Sequence, residues 1–142
     1  MKNSMIIFTL FILSISINAQ SYDCKGDHKF NIGYDFYRYG SGIKATYDYG
    51  LGSLFSIGAG VSYYINNDEN DYFLYGRTNF HLADLLDLPR KLDIYPGVEI
   101  GYLSSNDIGI SGYVGLRYFF SKRFGFFAEI GTNGAIGLSI DL

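Results

Sequence analysis

The chain has 142 residues, 48% hydrophobic and only 18% charged, with 18 Gly, 14 Tyr, 12 Phe, 2 Pro and no Trp; that is room for one domain, too apolar to be intrinsically disordered. A net charge of −3 supplies no basic stripe for phosphates, so nucleic acid is not an expected partner. One Cys and two His cannot build a disulfide framework or a multi-ligand zinc centre within the chain, and no cofactor is expected.

In chain order, Lys2, an apolar run over residues 5–13 broken only by Thr9, and a tract ending at Ala19 read as a secretory signal peptide, residues 1–19. As a helix, residues 5–17 would reach roughly 20 Å, short of the ~30 Å hydrocarbon core, which favours a cleaved leader over an anchor. Cleavage falls after Ala19 or Gln20, leaving residues 20–29 as a short periplasmic lead segment. Cys24 follows Ser21, Tyr22 and Asp23 rather than the small and aliphatic residues of a lipoprotein signal, so an unpaired thiol is expected, with intermolecular pairing as the alternative.

From residue 30 to residue 142, alternation with period 2 recurs and Tyr, Phe, Ile and Val are enriched, which predicts an all-β unit of eight strands. The expected strands cover residues 30–38, 43–49, 55–65, 72–82, 92–102, 109–120, 124–131 and 136–142. A polar, acidic loop follows the third, at residues 66–71, and Thr132-Asn133-Gly134 predicts a tight hairpin. Leu85, Leu86 and Leu88 suit a short helical turn in the longest connection, residues 83–91. Pro96 removes a ladder donor, so a bulge or irregularity is expected near it.

Alternation alone describes a soluble sandwich as well as a membrane barrel; the less apolar face decides. It carries Gly33, Gly58, Gly60, Gly97, Gly101, Gly109, Gly115, Gly125, Gly131 and Gly137 beside isolated charges. Glycine weakens a water-facing strand but suits the cramped bore of an eight-stranded barrel, where large side chains must interleave with small ones. The apolar face then points outward. Strands of about ten residues tilted near 40° rise roughly 25 Å, the height of a lipid-facing band. Tyr47, Tyr49, Tyr63, Tyr72, Tyr102, Tyr118 and Phe120 fall near strand ends, where aromatic girdles belong. The expected fold is a closed antiparallel up-and-down eight-stranded transmembrane β-barrel, residues 30–142.

Enclosing the polar face brings Lys44, Arg77 and Arg117 together with Asp35, Asp48, Asp93, Glu99, Glu129 and Asp141, and places His81 near one end. Unpaired charges there are costly, so a structural ion-pair network of Lys44, Asp48, Arg77, Glu99, Arg117, Glu129 and Asp141 is expected, with Arg77 and Arg117 bracketed by Glu99 and Glu129. A serine nucleophile would need a histidine base and an orienting acid, but His81's own segment holds no Ser. Gly-x-Ser-x-Gly, His-Glu-x-x-His, the phosphate loop and Cys-x-x-Cys do not occur, so no enzymatic activity and no catalytic residue are expected.

The stretches Gly42-Ile43-Lys44-Ala45-Thr46-Tyr47-Asp48-Tyr49-Gly50, Tyr95-Pro96-Gly97-Val98-Glu99-Ile100-Gly101-Tyr102 and Gly115-Leu116-Arg117-Tyr118-Phe119-Phe120-Ser121 resemble small outer-membrane β-barrel proteins of the Bacteroidota type. That group is largely uncharacterised, so the resemblance implies fold and outer-membrane location, with outer-membrane lipid and the barrel-insertion machinery as partners, and transfers no catalytic residue. The expected role is structural, adhesive or small-ligand-binding, with a filled lumen and no open pore. The alternative is a secreted or periplasmic lipocalin-like barrel whose Tyr- and Phe-rich face lines a cavity for an apolar ligand.

Overall fold

The computed structural model describes Tyr22 and residues 25–37, 39–65, 70–104 and 107–142. The expected leader with its cleavage site, Cys24 and residues 66–69 of the acidic loop lie outside the described residues.

The alternating segments become β1 (His28–Tyr37), β2 (Gly42–Gly50), β3 (Phe55–Tyr64), β4 (Asp71–Phe80), β5 (Leu92–Leu103), β6 (Gly109–Phe119), β7 (Phe124–Gly131) and β8 (Asn133–Asp141). Each pairs antiparallel with its chain neighbour, and β1 closes on β8 from Lys29↔Asp141 to Tyr37↔Asn133, giving a closed barrel. Closure leaves no unpaired edge, the condition for β-structure in lipid. The end that carries both termini also carries the turns after β2, β4 and β6.

One local expectation is corrected, and another is met as an irregularity without a bulge. Asn133 and Gly134, expected in the hairpin turn, belong to β8, because β1 extends far enough to offer Phe36 and Tyr37 as their partners. Pro96 makes no bulge, since β5 runs in unbroken register past β6 through Pro96↔Val114. Its missing donor shows on the other side. Ile94, of the same strand parity, accepts from Leu82 N–H at 2.9 Å, yet the β4–β5 ladder stops at Asn79↔Gly97, where Pro96 has no N–H to give. The connection after β4 turns at residues 83–87, where Leu86 N–H donates to Leu82 O (2.9 Å) and Leu85 and Leu86 are exposed, and again before β5, where Leu92 N–H donates to Pro89 O (2.9 Å).

The apolar face points outward. Ile57, Val98 and Leu116 are 49%, 38% and 45% exposed, and Ile43, Leu74, Ile110, Ile130 and Ile136 are exposed with them. A lipocalin-like barrel would bury these residues around its cavity, so that alternative is overturned. So wide an apolar belt has no place on a water-soluble monomer. Near one rim Tyr72 and Tyr102 lie with ring centroids 5.8 Å apart, and near the other Phe120 and Phe126 lie 4.9 Å apart.

Inside, five large rings each sit over a glycine of a paired strand. Tyr75 covers Gly60, Tyr95 covers Gly115, Tyr113 covers Gly97, Phe119 covers Gly125, and Phe127 covers Gly137. A methyl group on Gly60 would lie 2.6 Å from the Tyr75 ring, so this close approach requires the missing Cβ.

Candidate functional site

The polar side chains of the inner face meet in the lumen. Lys44 Nζ on β2 reaches Glu99 Oε1 on β5 at 2.7 Å and Glu129 Oε2 on β7 at 3.0 Å. Arg77 on β4 reaches Glu129 Oε1 at 2.6 Å through Nη2 and Glu99 Oε1 at 3.4 Å through Nη1. Its Nε lies 3.2 Å from Asp48 Oδ1, within ion-pair distance but without hydrogen-bond alignment. The aromatic rings close the shell: Arg77 lies 4.9 Å from the Tyr113 centroid, Arg117 lies 4.7 Å from that of Tyr95, and Tyr95 O–H donates to Glu129 at 3.1 Å.

The arrangement departs from the expected bracketing of both arginines by the two glutamates. Arg117 on β6 approaches Asp48 Oδ2 at 3.4 Å, and Lys44 is the second cation on the glutamate pair. Along β6, Arg117 lies toward the terminal rim, nearer Asp48 in height than Glu99. Asp141 stands apart from the central cluster, 3.2 Å from Lys29, which also pairs with Asp27. Asp35 accepts from Ser62 (2.7 Å) and Tyr64 (3.1 Å).

Both ends of the bore are filled. At the loop end Tyr64, Phe73, Tyr75 and Leu103 form an apolar cluster with Tyr39 packed against it, and Tyr39 O–H donates to Ile110 O at 2.7 Å. At the terminal end Tyr22 of the lead segment stacks on His81, with centroids 3.5 Å apart and planes 6° apart. Its hydroxyl lies 2.5 Å from Gly52 O and 2.7 Å from Phe55 O, sharing one proton between them.

Beneath Tyr22 is a grouping that reading along single strands misses. His81 Nε2 lies 2.8 Å from Ser56 Oγ, and His81 Nδ1 is hydrogen-bonded to Asp93 Oδ2. Ser56 comes from the start of β3, His81 from just past β4 and Asp93 from the start of β5, so no spacing within one segment reveals them. The register of the β3–β4 hairpin, which sets Ser56 opposite Asn79, was the available signal.

Inverted polarity, eight-strand closure and a side-chain-filled bore define a transmembrane-type β-barrel. The chain belongs to the family described as "Family of unknown function (DUF6646)", which it matches over residues 11–136. No curated protein matches it. Among solved structures it is similar to one titled "De novo design of transmembrane beta-barrels", with a TM-score of 0.70 and 15% identity over 84% of this chain and 98% of that one. It is also similar to the N-terminal β-barrel domain of Pseudomonas aeruginosa OprF, with a TM-score of 0.62 and 11% identity over 84% of this chain and 100% of that one. At these identities the likeness concerns the fold.

Proposed function

We propose that the protein is an integral outer-membrane barrel, delivered by its leader and placed by the barrel-insertion machinery, with both termini in the periplasm and a structural role that involves no open pore. The observation that carries this reading is the inversion of polarity: Arg77, Arg117, Lys44, Glu99 and Glu129 are buried while Ile43, Leu74, Ile100, Ile110 and Ile130 of the same strands are exposed. Lipid is the solvent that accepts such an exterior, and a closed sheet leaves no backbone group unpaired within it. The network of Lys44, Asp48, Arg77, Glu99, Arg117 and Glu129 fills and rigidifies the bore. The connections after β1 and β7 are too short to present a large receptor surface.

Carbonate washing of membranes from expressing cells tests the location, and gel migration with and without boiling tests closure. Retention in the pellet, in outer-membrane fractions, with a faster-migrating unboiled band is the expected result. Release into the supernatant would refute it.

A further inference from the structure

We propose that Ser56, His81 and Asp93 form a latent acyl-transfer centre at the terminal end of the lumen, masked by Tyr22, whose substrates are carboxylic esters with a slender acyl chain. The proposal goes beyond the structural role above.

The three groups stand in working order. An ionised Asp93 can only accept, so the Nδ1 proton of His81 points to it and Nε2 is left to accept from the Ser56 hydroxyl at 2.8 Å. That is the polarity a histidine base needs toward a serine nucleophile, with the carboxylate holding the ring's tautomer. Ser56 and His81 are each 1% exposed and Asp93 is fully buried, with Asp93 Oδ1 lacking a hydrogen-bond partner.

A donor for the developing oxyanion is also present. Asn79 Oδ1 accepts from Tyr113 O–H and from Arg77 Nη2 (3.3 Å), which fixes the amide so that Nδ2 faces Ser56 Oγ at 3.2 Å. A carbonyl oxygen drawn to Ser56 would enter the reach of that N–H. Tyr22 covers the site, only 8% exposed and flat on the imidazole. Displacing the Tyr22 ring from the imidazole would leave a flat slot the width of a phenol ring, suited to an unbranched acyl ester.

In the reaction Ser56 Oγ forms a bond to the ester carbonyl carbon as its proton passes to His81 Nε2. The bond from carbon to the alcohol oxygen then breaks, and that oxygen takes the proton from Nε2. Water repeats the sequence on the acyl-serine, yielding a carboxylic acid and restoring Ser56; ester and water become acid and alcohol, with no change in oxidation state.

The full chain folded in detergent micelles is incubated with an alkyl fluorophosphonate carrying a fluorophore. Tyr22→Ala should label at least about tenfold faster than the parent chain, with the adduct on Ser56 by peptide mass spectrometry, and should hydrolyse p-nitrophenyl butyrate. Ser56→Ala in the Tyr22→Ala background should abolish labelling, and His81→Gln there should slow it about 100-fold. Tyr22→Phe keeps the ring and loses the hydroxyl's bonds to Gly52 O and Phe55 O, and should label at an intermediate rate. A Tyr22→Ala or Tyr22→Phe protein that keeps its heat-modifiable migration yet does not label overturns the proposal, as does labelling that persists without Ser56. Heat-modifiable migration reports on the barrel itself, so the two readings fail separately.

Discussion

Glu129 is where the inner cations converge: one carboxylate takes Lys44 at 3.0 Å, Arg77 at 2.6 Å and the Tyr95 hydroxyl at 3.1 Å. Removing its charge would leave Arg77 with Glu99 and Asp48, and Lys44 with Glu99 and the more distant Asp35, in a place water does not reach, so the desolvation of two buried cations would no longer be fully compensated. Glu129→Gln should therefore destabilise the barrel by about 3–5 kcal/mol, read as a shift in the denaturant midpoint of the protein refolded in lipid vesicles. Asp141 provides the contrast. Its side chain is 32% exposed and touches Lys29, which keeps Asp27 as a second partner, so Asp141→Asn should cost well under half as much in the same assay. Comparable losses from both substitutions would mean that the central cluster has no special weight.

At the scale of the strand, the two faces answer to opposite rules. Val114 lies mid-strand on β6 and is 54% exposed to what we read as hydrocarbon; Val114→Arg should cost about 2–4 kcal/mol by the same measurement, and a neutral result would argue that this face meets water. Glycines divide the same way. A methyl group on Gly60 would strike the Tyr75 ring, whereas one on Gly112 would meet nothing within 4 Å. Gly60→Ala should therefore lose about 1–3 kcal/mol by overpacking, while Gly112→Ala should be neutral or gain about 0.5 kcal/mol from the unfolded chain's reduced freedom. This division was legible in the sequence, because period 2 assigns Gly60 and Gly112 to opposite faces before any register is known. What was not legible is height along the bore. Alternation states which residues point inward, but only the stagger between strands puts Arg117 beside Asp48 instead of Glu99, or brings Ser56 and Asp93 to His81 from two flanking strands. Pro96 shows the same limit: its missing donor could be foreseen, but the side of the strand it falls on depends on pairing parity.

For the molecule as a whole, the side chains that fill the bore are distributed over its height instead of forming one plug. The aromatic cluster of Tyr64, Phe73, Tyr75 and Leu103 fills the loop end, the ionic cluster the middle, and Tyr22 over His81 the terminal end. A gate made of one element opens when that element leaves; a bore packed at three levels does not. Removing Tyr22 should therefore expose only the lowest level. In a planar bilayer neither the parent protein nor Tyr22→Ala should show unitary current steps, because the path past Ser56 still meets Arg77, Lys44 and their glutamates, with Tyr113 and Tyr95 against the arginines. The same variant should nevertheless admit a small ester to the terminal chamber. Current steps in Tyr22→Ala would place the whole seal at that one ring and make the ionic layer permeable, contrary to the packing of its rings over the glycines of paired strands. Reactivity without conductance is the combination that a chamber closed at its far end requires.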